Sequence, residues 1–359
     1  MRLSEQPLLG ISDLTISYET NRAKLVALDH TNLNIAKNTF VAVVGESGCG
    51  KSTLALSIIG LLPTPPAKVD SGAINYKSVD LLTLDSKRRR EYRGTEIAMI
   101  FQEPLTSLNP VYRVGDQIAE AIVVREIRKG RDTQVETEVM QKVYSTKGSY
   151  LAPRFSRPRR GLTRLLRDEI ISALKLVRIS DPEHVISRYP FELSGGMRQR
   201  IMIAMALAEK PALLIADEPT TALDVTTQAQ VLKLMKGLMN EVQTSILLIT
   251  HDLAVASQVG DRIVVMYAGD VVEDANVYDL FSEPLHPYSQ GLLACIPSGS
   301  KDDSTLKPIP GTIPDLRYTI TGCKFASRCP HAMKVCHEKP PGLIEAKPKH
   351  MVACFLYGE

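Results

Sequence analysis

"FVAVVGESGCGKSTLALSIIG", residues 40–60, decides how the rest of the chain is read. Its opening run, Phe40 to Val44, is apolar and rich in β-branched residues, which predicts a buried strand. Gly45-Glu-Ser-Gly-Cys-Gly-Lys51-Ser52 then matches G-x-x-x-x-G-K-[ST], and Thr53 leads into a helical pattern. Strand, glycine loop and helix in that order make a phosphate cradle. Gly45, Gly48 and Gly50 let backbone N–H groups turn inward at a helix N-terminus, where anions are stabilised. Lys51 is predicted to reach the β and γ phosphates, and the Ser52 hydroxyl to sit on Mg²⁺. Ser47 and Thr53 complete the set of candidate nucleotide contacts in this loop, while Cys49 is small and receives no ligand role.

A second stretch, "PALLIADEP" at 211–219, reads as another buried strand, and Leu213 to Ala216 deliver Asp217 and Glu218 to its C-terminal end. That end is where α/β sheets bind their ligands. Asp217 is the expected Mg²⁺ partner through water, and Glu218 the group that polarises an attacking water. Paired acids after a strand also serve as helix caps, so the reading depends on the phosphate loop.

The whole chain sets the bounds. Its 359 residues allow two domains, or one large domain with an appendage. Apolar residues at 44% and charged residues at 23% are ordinary for a globular protein, and a net charge of +3 is too mild to argue for nucleic acid. The N-terminal "MRLSEQPLLGISDLTISYE" has no apolar core of a signal peptide. No apolar run approaches the roughly 18 to 20 residues of a spanning helix. These features predict a soluble protein in a reducing compartment, where disulfides are rare.

"FELSGGMRQRIMIAMALA", from residue 191, opens a further helix at Ser194-Gly195-Gly196, whose bare N–H groups make a second anion site. One nucleotide rarely needs two such helix starts in one chain, unless the second serves a neighbouring subunit. Leu193-Ser194-Gly195-Gly196 resembles the signature motif of ABC-type ATPases. The other motifs of that family follow in order: Gln102 in "MIFQEP", "TALD" at 221–224 and His251 in "LLITHD". Tyr18 resembles the aromatic residue that stacks on adenine. Met197 stands at the fifth signature position in place of the usual Gln, a departure typical of the peptide-transport branch.

The resemblance implies an α/β fold. It would be an ABC-type P-loop ATPase with a RecA-like core, an antiparallel β part, a helical subdomain and a small C-terminal cysteine-rich extension. It also implies a head-to-tail dimer with two ATP molecules at the interface, each phosphate loop facing the partner's signature helix. Gln102 would contact Mg²⁺ and the lytic water, His251 would hold the γ-phosphate, and Asp224 would bridge the two sites. Ser194, Gly195 and Gly196 would contact nucleotide. All catalytic groups are present, so hydrolysis is expected.

"CKFASRCPHAMKVC", residues 323–336, raises a separate question, because with Cys354 it gives C-x5-C-x6-C-x17-C. Zinc knuckles generally use a close C-x2–4-C pair, which these spacings lack. Four cysteines suit a [4Fe–4S] cluster, whose ligand spacing varies. On chemistry alone cluster, zinc and inert thiols stay open. Lys324, Arg328 and Lys334 are expected to offset the charge of a thiolate-rich site, and Cys295, in an apolar stretch, is expected to be buried. The segments "FQEPLTSLNPVYRVGDQIAEAI" (101–122), "LHPYSQGLLACIP" (285–297) and "PIPGTIPDL" (308–316) resemble the oligopeptide/dipeptide importer branch. That resemblance implies a [4Fe–4S] cluster on Cys323, Cys329, Cys336 and Cys354. It implies as partners a second, related ATPase subunit, two membrane permease subunits and an extracytoplasmic solute-binding protein, with this chain peripheral on the cytoplasmic face of the cell membrane. The same branch also serves other solutes, and a soluble ABC ATPase outside transport is the alternative of another class.

Residues 125–167 hold twelve Lys or Arg against four Asp or Glu. Such a segment reads as a solvated arm, as a contact for anionic lipid headgroups, or, least favoured for want of aromatics, as a contact for nucleic acid. The expected layout is a nucleotide-binding domain at 1–275, with its helical subdomain at about 102–210, and an extension at 276–359. "AGD" at 268–270 reads as a hairpin turn.

Overall fold

The computed structural model describes residues 6–19, 23–102, 107–128, 163–221, 223–296, 308–318 and 320–358. The basic segment is therefore described only at its two ends, and residues 129–162 lie outside the described residues. The chain divides into two compact units, one of residues 1–89 with 245–359 and one of residues 90–244. Twelve strands are named in chain order: β1 (Leu9–Glu19), β2 (Lys24–Ile35), β3 (Phe40–Val44), β4 (Ala67–Tyr76), β5 (Val79–Asp80), β6 (Ile97–Ile100), β7 (Leu213–Asp217), β8 (Ser245–Thr250), β9 (Arg262–Tyr267), β10 (Asp270–Asn276), β11 (Ile344–Lys347) and β12 (His350–Val352).

In the first unit, β3 carries the phosphate loop. All five of its residues are buried. It lies between β8 and β9, parallel to both, with Val43 opposite Ile249 and Val264. A strand covered on both faces needs an unbroken apolar run rather than an alternating one, which is what 40–44 supplies. Burying each Val or Phe there contributes roughly 1.5–3 kcal/mol. β9 returns into antiparallel β10 through Ala268 and Gly269, with φ of 49° and 90°. Two left-handed residues make the tight turn whose twist matches a hairpin, as "AGD" predicts. β10 then pairs with β12 and β12 with β11, so chain from the C-terminal segment extends the sheet beyond β10. A separate antiparallel sheet runs β2-β1-β4-β5.

Glu273 of β10 ties that C-terminal segment in place. Fully buried, it accepts the N–H groups of Leu285 at 2.7 Å and His286 at 2.8 Å, and meets His350 Nε2 at 2.7 Å. A buried carboxylate is tolerated only when its lone pairs are filled, and three partners fill them here.

In the second unit, β6 and β7 pair in parallel, with Met99 opposite Ile215. The helices Val114–Arg128, Arg167–Leu176 and Val225–Val242 all pack on the helix Gly195–Ala208. That central helix buries Ile201, Ile203, Ala204 and Leu207, so its start is fixed by its own core. Arg125 caps the same helix by donating to the Ala208 carbonyl at 2.9 Å, and it pairs with Glu169 at 2.8 Å.

Among the described residues no helix is long and apolar enough to cross a membrane.

Candidate ATP site and cysteine cavity

The loop after β3 has the backbone its glycines predict. Gly48 and Gly50 adopt φ of 81° and 101°, a region side chains rarely enter. The helix Lys51–Ile59 starts at once, with Gly50 as its cap. Lys51 is buried and folds back onto the loop, donating to the carbonyls of Gly45 at 2.8 Å and Glu46 at 3.0 Å. Ser47 and Ser52 are exposed along the same arc. Tyr18 hydrogen-bonds Thr53 through its hydroxyl at 3.2 Å, which puts the predicted adenine-stacking residue beside the start of this helix. Cys49 is buried, and burial pushes its thiol up, so it is unreactive filling. His251, directly after β8, is exposed rather than packed in the core.

In the second unit, β7 ends on buried Asp217, and Glu218 follows with φ of 46°. A non-glycine residue in the left-handed region costs energy and persists where the surroundings demand it. Gln102 Nε2 donates to Glu218 Oε2 at 2.9 Å, and the Thr221 hydroxyl donates to the same oxygen at 3.1 Å. Two residues chosen from motifs 116 positions apart are thus in direct contact. Thr221 belongs to this arrangement and was not singled out from the sequence, although it stands first in "TALD".

The signature helix begins at its own polar cap. Ser194 accepts the Met197 N–H at 3.3 Å. Gly196 has no room for a side chain, since a Cβ there would sit 2.6 Å from Thr227 Cγ2. Ser194, Gly195 and Gly196 line an open cleft of about 410 Å³ together with Arg178, Arg200 and Asp224. Asp224 caps the helix Val225–Val242, accepting the Thr227 N–H at 2.9 Å and meeting its hydroxyl at 2.7 Å. The Thr227 N–H holds the Asp224 carboxyl below the usual range, so it stays ionised. The two arginines give the cleft a positive wall that the motif alone does not reveal.

Cys323, Cys329, Cys336 and Cys354 are unpaired thiols that line one tight cavity of about 10 Å³, room for about one water. Phe325, Phe355 and Leu356 wall it. The Cys329 and Cys336 sulfurs accept the backbone N–H groups of His331 and Met333, each at 3.4 Å. Burial pushes the Cys323 thiol up to about 11, and raises Cys329 and Cys354 as well. Among the described residues, no three His, Cys, Asp or Glu converge tightly enough to hold one metal ion.

Two expectations need correction. Lys324, Arg328 and Lys334 do not stand guard over the thiols. Lys324 pairs with Asp29 and Asp270, Arg328 with Glu46, and Lys334 with Glu338. Each cation reaches a carboxylate on its own side, which gives it more than a neutral thiol offers. Cys295 is exposed, not buried, because it is the cap at the end of the short helix Pro287–Ala294 rather than on its buried face.

A glycine cradle at a helix start, an Asp-Glu pair at a strand end with a glutamine on the glutamate, and a serine-capped Gly-Gly helix define an ATP-binding cassette. The ABC transporter family model matches residues 28–221, and a model of the oligopeptide/dipeptide transporter C-terminal region matches residues 272–336. A probable peptide ABC transporter ATP-binding protein of Sinorhizobium fredii is 44% identical, over 100% of this chain and 99% of that protein. An oligopeptide transport ATP-binding protein of Bacillus subtilis is 43% identical, over 98% of this chain and 97% of that one. A dimeric cassette solved with ADP and Pi superposes with a TM-score of 0.53 at 26% identity, over 75% of this chain and 98% of that one. This chain belongs to the ABC transporter family of ATP-hydrolysing cassettes, and to its oligopeptide/dipeptide branch.

Proposed function

We propose that this chain hydrolyses ATP to drive import of oligopeptides or dipeptides through separate membrane subunits. The observation that carries the reading is the Gln102–Glu218 contact, a positioned carboxylate in a chain that resembles peptide-transport relatives from end to end. Lys51 and the loop amides would bind the phosphates, with Ser52, Gln102 and Asp217 around Mg²⁺. Glu218 would polarise the water, oriented by Gln102, and His251 would hold the γ-phosphate. The cleft at Ser194 would take the γ-phosphate of the ATP held by a partner ATPase, with Arg178 and Arg200 adding positive charge. Two permease subunits and a solute-binding protein would complete the assembly, with this chain on the cytoplasmic membrane face.

The layout 1–275 for nucleotide and 276–359 as a cysteine-bearing extension belongs to the same proposal. So does contact of residues 125–167 with anionic lipid. The four cysteines are read as ligands of a [4Fe–4S] cluster. Four sulfurs around one apolar-walled cavity, two of them with amide donors, support thiolate ligation by a cluster rather than by a single ion. The cavity is smaller than a cube of iron and sulfide, so loading would turn the side chains outward. When bound, such a group supplies a covalent staple to a small core, with or without electron transfer.

Isolation of the native protein from membranes without oxygen tests both parts. Co-purifying permeases, a second ATPase and a binding protein with peptide aboard are expected. Arrival alone, or with nucleic acid, would overturn the transport reading. Iron and acid-labile sulfide in equal amounts are expected, with a lower Tm for Cys336→Ser; stoichiometric zinc, or metal-free protein of unchanged Tm, would remove the cluster.

A further inference from the structure

Glu46, the residue after the first glycine of the phosphate loop, is gripped from three directions. Its N–H donates to the Tyr288 hydroxyl at 3.0 Å. Its carbonyl accepts from Lys51 at 3.0 Å. Its carboxylate accepts both terminal nitrogens of Arg328, at 2.8 and 3.0 Å. Two of those three partners come from the far end of the sequence. Tyr288 lies on the helix Pro287–Ala294 and Arg328 on the turn Ala326–Arg328, just before Cys329.

The grip is rigid because each partner is itself fixed. Arg328, with a side chain only 5% exposed, donates through Nε to the Pro310 carbonyl at 2.9 Å and through Nη1 to the Tyr267 hydroxyl at 3.3 Å. Its guanidinium also lies 5.7 Å from the Tyr267 ring and 5.9 Å from the Phe325 ring. Tyr288 is fully buried and packs on both of those rings, with centroids 4.7 and 5.5 Å away. A two-pronged Arg–carboxylate contact fixes direction as well as charge, which a lysine in the same place would not.

We propose that Arg328 and Tyr288 are positioning residues of the ATP site, which hold Glu46 and thereby set the affinity of the phosphate loop for nucleotide. A loop that must order itself on binding loses affinity to that ordering, and one already held does not. The Glu46 carbonyl also seats the Lys51 ammonium, so a displaced Glu46 moves the cation that the motif assigns to the phosphates. Neither residue touches ATP. The inference rests on residues 45–53 being the phosphate loop, and its test separates the two ideas.

The measurement is the Kd for ATP on the full-length chain, with KM and kcat for the purified transporter, and Tm without nucleotide. Arg328→Ala is expected to raise Kd and KM about tenfold with kcat changed far less, since tenfold corresponds to about 1.4 kcal/mol. Arg328→Lys recovers part of the loss, and Tyr288→Phe, which deletes one oxygen, raises Kd by a smaller factor. Arg328→Ala with Glu46→Ala together is no worse than the worse single variant, because the two act as a pair. A merely structural anchor would lower Tm and leave Kd alone. Kd within twofold of the parent in Tyr288→Phe and Arg328→Lys, or strictly additive effects in the pair, overturns the proposal, and these mild variants serve if Arg328→Ala does not fold. Lys51→Ala is the control: if it leaves ATP binding intact, the loop assignment fails instead.

Discussion

At Lys51 a helix starts from a loop tied down by residues far away in the sequence. At Gly195 a helix starts from its own serine cap, beside an open cleft. Both are glycine-rich helix N-termini, and both suit an anion. The first has Arg328, Tyr288 and Lys51 on one residue, Glu46. The second is capped locally, Ser194 to Met197 and Asp224 to Thr227, with Thr227 against Gly196 and no such three-way grip on one residue among the described contacts. One chain thus builds two unlike helix starts, each of a kind that suits an anion. A loop that must wrap phosphate needs outside support, whereas a helix end that presents N–H groups to another molecule needs only to stay capped and uncovered.

The sharpest break of this comparison is at neither start. Glu218→Gln keeps the shape and removes the proposed base, so hydrolysis is expected to fall by about 10³-fold with ATP still bound, a loss typical of a general base. An ATPase assay beside a binding assay checks it. Next in size is the anchor of the C-terminal segment. Glu273→Ala strands His350 and two buried N–H groups, and is expected to cost about 3–5 kcal/mol, read as a fall in Tm. If the loop depends on that segment, ATP affinity falls with it. Gly196→Ala puts a Cβ 2.6 Å from Thr227 and is expected to cost about 1–3 kcal/mol of stability through overpacking. Gly48→Ala meets nothing within 4 Å, so its cost of about 1–2 kcal/mol comes from the left-handed backbone alone. Denaturant melts of the two variants distinguish crowding from conformation, because Thr227→Ser relieves only the first.

Near neutral pH the smallest effect is one of titration. Burial drives His286 from 6.5 down to about 3, and its neutral ring accepts the Tyr288 N–H through Nδ1 at 3.0 Å. The folded pKa lies below the unfolded one, so the unfolded chain takes up the proton. Stability from this group is complete above about pH 6.5 and declines as pH falls towards 3, by at most about 1.4 kcal/mol per pH unit. His286→Asn keeps a capping acceptor without the titration, and is expected to flatten the acid limb of Tm against pH.

Strands β3 and β7 were legible because burial on both faces demands continuous apolar runs, and 40–44 and 213–216 are such runs. The turn at 268–269 was legible from its glycine. Gln102 and Glu218 were each legible from a motif, but the hydrogen bond between them was not. The Arg328–Glu46 contact spans 282 positions and has no periodicity to announce it. One sign was present, a carboxylate inside a loop meant for phosphate, which needs a cation to neutralise it. The same reasoning assigned Arg328 to the cysteines, because sequence proximity favoured Cys329 while the fold offered Glu46. Cys295 was misjudged because an apolar neighbourhood does not say which way the last turn of a short helix faces.

The transport reading is tested most directly by uptake. The purified assembly, rebuilt into vesicles with this chain's face outward, is given ATP and a labelled dipeptide or tripeptide together with the binding protein. ATP-dependent movement of peptide across the bilayer, stopped by Glu218→Gln, is expected. Steady ATP hydrolysis with no peptide moved, or undiminished uptake with Glu218→Gln, would contradict it.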